Sequence, residues 1–148
     1  MRGRSGPFWD AIEGRAPLPR AAATLGLEFI DADVDAGTIE LAFTATEAFT
    51  NPTGNVLGAF QAAMLYDTVG PALLATLEPD QFQSTTQVSV SFLRPVRPGR
   101  LVARGRVVHR EGDLAFLEAT LLDKDGVVIA TATATARVIA LRDARAAA

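Results

Sequence analysis

The chain has no cysteine and a single histidine among 148 residues. Disulfides, thiolate zinc sites, iron–sulfur clusters and a cysteine nucleophile are therefore excluded. With only His109, a His pair or His-rich metal site is excluded too, and no metal is expected. Aromatic residues make up only 7%, with one tryptophan and one tyrosine. Lysine is nearly absent, since thirteen of the fourteen basic residues are arginine. The formal net charge of −3 does not suit a general nucleic-acid footprint, so no nucleic-acid partner is expected. No run of roughly eighteen apolar residues occurs, so no membrane span is expected. The longest apolar region, 58–77, is interrupted by Gln61, Asp67, Gly70 and Pro71. No apolar stretch of the secretory kind follows Arg2 and Arg4, and the expected location is cytoplasmic.

What is present suits one folded domain: 49% of residues are hydrophobic and 21% charged, enough to bury a core. That domain is taken as 1–148, with 1–24 as a helical N-terminal extension and 141–148 as a frayed tail. Residues 8–23 read as weakly helical, broken by Pro17 and Pro19, in the manner of a segment lying across a domain's mouth or edge. Residues 25–33 and 37–45 read as a hairpin about Asp33-Val34-Asp35-Ala36-Gly37. Ile39, Leu41 and Phe43 alternate there with polar or small neighbours, the period of a strand with one buried face. A loop centred on 51–55 leads to a helix over about 58–77. This helix is apolar nearly all round and must be enclosed, and Pro71 should bend it. Strands follow at 85–93, 101–110, 114–123 and 127–139, joined by short turns. The last presents alternating Ala and Thr over 130–136, one face small enough for a helix to approach closely. The result is an α+β chain in which a curved antiparallel sheet of about six strands wraps round one long helix, because a flat solvated sheet cannot hide it.

Few residues in this pattern carry chemistry. Asp67 lies in the most apolar helix, where an unpaired carboxylate costs several kcal/mol. It is either tied to a neighbouring loop or acts as a base or nucleophile facing a cleft. Gly58 opens the helix, where free N–H groups can polarise a carbonyl, although a plain helix start reads the same way. Asn51 and Thr85 border the same elements as a loop and a strand-start residue. Six arginines fall between 94 and 110. Alternation puts Arg104, Arg106 and Arg110 on one face, either as a phosphate-binding stripe or as a solvated face paired with acids. His109 reads as a strand-end residue, as no Gly-x-Ser-x-Gly elbow accompanies it.

Three stretches together carry a resemblance: Asn51-Pro-Thr-Gly54 leading to Leu57-Gly58-Ala59-Phe60 and the helix through Asp67, the run Val88 to Gly99 with Arg94-Pro95, and Asp123-Lys-Asp125-Gly126 leading to the Ala/Thr strand. Over roughly 25–140 the sequence resembles hotdog-fold acyl-CoA thioesterases of the phenylacetate-pathway (PaaI-like) type. The resemblance implies homodimers, in cases homotetramers, with sites shared between subunits, and an acyl-CoA substrate with no cofactor beyond its coenzyme A. It implies a helix carboxylate as base or nucleophile (Asp67), a carbonyl-polarising N–H (Gly58), and positioning groups at Asn51 and Thr85. Tyr66, Phe60, Met64 and Phe92 would line the acyl pocket, and Arg94, Arg97 and Arg110 would hold phosphates at its rim. Two departures stand out. Leu57-Gly58-Ala59 replaces His-Gly-Gly. An ungapped match also sets Tyr66 where the carboxylate belongs, with Asp67 one place on, a rotation of about 100°. These departures suit the alternative reading, a non-catalytic hotdog protein that binds an acyl chain or aromatic acid.

Overall fold

Alternation of apolar and polar side chains carries most of the chain into one sheet. The computed structural model describes residues 4–146. After two short helices, α1 (Pro7–Ile12) and α2 (Arg20–Thr24), come β1 (Glu28–Asp33), β2 (Thr38–Ala45), the long helix α3 (Gly58–Leu74), and then β3 (Gln81–Phe92), β4 (Gly99–Glu111), β5 (Leu114–Leu122) and β6 (Val128–Ala140). The strands form one six-stranded sheet in the order β1-β2-β4-β5-β6-β3, with every pair antiparallel. The sheet curls round α3, whose Met64, Leu65, Thr68, Val69 and Leu73 are wholly buried.

Small residues on the concave face permit this approach. Ala130, Ala132, Ala134 and Ala136 are buried, whereas Thr131, Thr133 and Thr135 face outward. On β4 even alanine would crowd the helix: a Cβ at Gly105 would lie 3.0 Å from Thr68 Cγ2 and 3.1 Å from the Thr68 carbonyl oxygen. The helix would have to give by a few tenths of an ångström, away from the sheet. Gly105→Ala is therefore expected to cost about 1–3 kcal/mol, measured as a lower urea midpoint with an unchanged slope.

Among the boundaries that differ from the sequence reading, three bear on the site or the end of the chain. Helix α3 stops at Leu74 rather than 77 because Thr76 and Leu77 turn back to the carbonyls of Leu73 and Leu74, a tightened final turn. The helix runs through Pro71, since Ala75 N–H still reaches the Pro71 carbonyl at 3.0 Å. Pro71 itself has no N–H to offer the Asp67 carbonyl one turn earlier. Strand β3 starts at Gln81, four residues before expectation. Its inward positions Gln83 and Thr85 are polar and buried, so hydrophobic alternation cannot reveal them. The tail does not fray at 141: Leu141–Ala146 forms a 3₁₀ turn, tied by Leu141 N–H to the Asp80 carbonyl at 2.8 Å. Residues 147–148 of the expected frayed tail lie outside the described residues. Among the described residues no helix is long and apolar enough to cross a membrane.

Candidate active site

Asp67 faces a cavity of about 480 Å³. One wall is the second half of α3, where Asp67, Gly70, Pro71 and Leu74 share a face at helical spacing. The opposite wall is the N-terminal segment, with Phe8, Trp9, Ile12, Leu18 and Ala22. The segment is held down by Trp9, which is 3% exposed. Its ring makes edge contacts to Phe8 at 5.3 Å and Phe29 at 6.0 Å. The Arg4 guanidinium lies 4.7 Å above it, and Arg4 also donates to the Ala32 carbonyl.

The Asp67 side chain is half-buried, and among the described residues its carboxylate has no hydrogen-bond or ion-pair partner. Apolar surroundings penalise its charged form, so burial pushes its pKa up to about 6. Of the two sequence alternatives, the tie to a neighbouring loop is therefore not seen among the described residues. Tyr66 lines the mouth of the same cavity and is 42% exposed. The two neighbours thus share the cavity rather than one excluding the other.

Gly58 belongs to a second depression, about 310 Å³, lined also by Asn51, Asn55, Gln61, Phe92 and Arg94. The amides of Phe60 and Gln61 both turn to the Leu57 carbonyl, and no side chain caps the helix. The N–H groups of Gly58 and Ala59 have no partner among the described residues, as expected for a helix start. A Cβ at Gly58 would lie 3.1 Å from the Phe92 ring, so the ring covers the glycine. Asn51 Oδ1 accepts from Thr53 N, Thr53 Oγ1 and Asn55 N at 2.7–3.1 Å, which shapes the loop. Gln61 Nε2 donates to the Val56 carbonyl at 3.0 Å, pinning the loop to the helix.

The remaining candidates are spread more widely. Met64 is wholly buried in the core and Phe60 stacks on Phe49 at 4.2 Å; neither lines the cavity. Thr85 is 4% exposed, and its hydroxyl donates to Gln83 Oε1 at 2.9 Å. Arg110 lies in another depression beside Asp80 and Gly112 and donates to the Gly112 carbonyl, away from Arg94. Arg97 donates to the Thr53 carbonyl at 3.0 Å. In the stripe, Arg104 and Arg106 are paired with acids as in the solvated reading, whereas Arg110 is not among these pairs. Arg100 pairs with Glu28, Arg104 with Glu40 at 2.8 Å, and Arg106 with Glu118. Sequence reasoning set 8–23 across the domain's mouth or edge but singled out none of its side chains as cavity lining, and it missed Gln83. An aromatic pair, Phe8-Trp9, in an otherwise aromatic-poor chain was the available signal for that lining.

Residues 53–130 match the thioesterase superfamily. A phenylacetic acid degradation-related protein of Ralstonia eutropha JMP134, assigned as a thioesterase, is 39% identical; the alignment covers 88% of this chain and 98% of that one, with a TM-score of 0.84. A thioesterase family protein of Silicibacter pomeroyi is 26% identical over 90% and 98% of the two chains, with a TM-score of 0.77. The PaaI protein of the E. coli phenylacetic acid degradation operon shares the fold, with 17% identity over 89% and 93% and a TM-score of 0.78. No protein of curated function matches the chain. A six-stranded antiparallel sheet curled round one helix, matched over most of its length by these relatives, makes the chain a PaaI-like hotdog thioester hydrolase that belongs to the thioesterase superfamily.

Proposed function

We propose that the chain hydrolyses acyl-coenzyme A thioesters with Asp67 as general base, in a site completed by a second copy. The observation that carries this reading is the unpartnered carboxylate in an apolar cavity, its pKa raised to about 6. Such a group is ionised at neutral pH yet more basic than a solvated aspartate. The acyl group occupies the apolar part of the cavity between α3 and Trp9. Asp67 takes a proton from water, and the water oxygen forms a bond to the thioester carbonyl carbon. The C–S bond then breaks, and the sulfur leaves with a proton as the thiol. The second product is the carboxylic acid.

The carbonyl oxygen needs donors as charge develops on it. The free amides of Gly58 and Ala59 are such donors, but not for Asp67 of the same chain. Nine residues along a helix separate Gly58 from Asp67, about 13 Å at the usual rise. Two antiparallel α3 helices related by a two-fold axis near Ala62 and Ala63 would bring Gly58 of each copy beside Asp67 of the other. Those two alanines are small and only half-buried. Beside them lie the exposed Leu57, Tyr66, Phe92 and Leu93 and the unpaired edge of β3, a surface that suits a homodimer. Asn51 and Arg94 then stand at the groove where the coenzyme A portion leaves.

The test is complementation between two inactive variants. Gly58→Pro removes the N–H at a first helical position that tolerates proline, and Asp67→Asn removes the base. Each alone is expected to lose turnover. Mixed after unfolding and refolding together, they should regain about a quarter of wild-type activity, because half the dimers are mixed and each holds one intact site. No recovery in a verified heterodimer would place both groups in a single chain's site and defeat the composite reading.

A further inference from the structure

Among the described residues Gln83 is the one buried polar side chain that lines the Asp67 cavity. It is 7% exposed and lines the cavity. Its Oε1 accepts the Thr85 hydroxyl at 2.9 Å, which orients the amide and turns Nε2 toward α3. There it rests against Gly70, where a Cβ would lie 2.9 Å from Nε2. Gly70 is three residues after Asp67, on the same face of the helix. Among the described residues Nε2 makes no hydrogen bond. The cavity wall thus holds an unused N–H donor about one helical turn from an unused carboxylate acceptor.

We infer that Gln83 is a positioning residue for the hydrolytic water, with its Nε2–H donating to the water oxygen while that water donates to Asp67. A water molecule is the ligand that fits both groups at once: it accepts one hydrogen bond and donates another. Held at two points, it keeps its second lone pair free for the carbonyl carbon, a gain of orientation. Thr85 does not touch this water, because its hydroxyl is engaged with Gln83 and it does not line the cavity. The positioning role expected of Thr85 from the resemblance passes through Gln83. Gly70 belongs to the same device, because any side chain there would displace the amide.

This assignment rests on the Asp67 reading, and the experiment separates the two. Gln83→Met keeps the side-chain length and removes the donor. Its kcat is expected to fall about a hundredfold, with KM unchanged within about twofold. Thr85→Val should lose about tenfold in kcat alone, and nothing further when added to Gln83→Met, since it acts through that residue. A crystal structure of the unaltered protein should show an ordered water within hydrogen-bond distance of Gln83 Nε2 and an Asp67 oxygen. That readout stands whatever the activity of any variant and whether or not Gln83→Met folds. An unchanged kcat in folded Gln83→Met, a rise in KM alone, a full additional Thr85→Val loss in the double variant, or no bridging water would each overturn the role of Gln83. If Gln83→Met is unaffected while Asp67→Asn is inactive, only Gln83 is misassigned. If Asp67→Asn retains turnover, the Asp67 reading itself fails.

Discussion

Replacing Asp67 by Asn is expected to abolish acyl-CoA turnover and to make the protein more stable at pH 8. Loss of a general base costs on the order of a thousandfold in kcat. The stability gain follows from linkage. The folded-state pKa is raised from 3.8 to about 6 by burial, so the folded state binds this proton more tightly than the unfolded chain does. The favourable contribution of that binding is complete below about pH 4 and is lost as pH rises through about 6. At pH 8 the native protein therefore carries a buried charge that destabilises it by on the order of 2 kcal/mol. Asparagine removes that charge. The melting temperature of Asp67→Asn should exceed that of the parent by about 5 °C at pH 8 and by almost nothing at pH 4. The parent's kcat should rise with pH to a plateau above about 6, and the variant's residual rate should lack that limb. Equal melting curves at both pH values would show that Asp67 is solvated, and retained turnover would remove it from the mechanism.

Trp9→Ala is expected to weaken both the fold and the grip on substrate. Trp9 is almost wholly buried, and truncating such a side chain costs about 3–5 kcal/mol. The loss should be felt first by the N-terminal segment, whose ring contacts and Arg4 stacking all centre on this residue. That segment is one wall of the cavity, so KM for acyl-CoAs with bulky acyl groups should rise at least about tenfold, while kcat falls less. Steady-state kinetics beside a chemical denaturation curve would check both. A destabilised Trp9→Ala with unchanged KM across a panel of acyl chain lengths would move the acyl group out of this cavity.

Sequence patterning revealed the architecture because its main cues are local. The Ala/Thr alternation of β6, the apolar length of α3 and the short turns each follow from a repeat of two or 3.6 residues. The start of β3 was hidden because its inward residues, Gln83 and Thr85, are polar and are joined by one hydrogen bond across two positions. No hydrophobic period marks such a pair. Asp67 stood out because a charge in an oily helix is costly wherever the helix goes. Its relation to Tyr66 was not legible, because one residue is a rotation of 100° and only the placement of the N-terminal segment decides what each side chain faces. The stripe of Arg104, Arg106 and Arg110 was open to a phosphate-binding and a solvated reading alike until the sheet register set Glu40 and Glu118 within reach of Arg104 and Arg106. Those partners lie on other strands, 64 and 12 residues away in sequence.

The residues that close the cavity, among them Phe8, Trp9, Leu18 and Leu27, come from outside the stretch 53–130 that defines the superfamily. On the proposed reading, part of the wall that would meet the acyl group is thereby encoded apart from Asp67, which lies within that stretch. Exchanging the leading segment between relatives would retune which acyl groups are accepted without disturbing the bond-breaking apparatus, which makes this segment the natural place for new preferences to evolve.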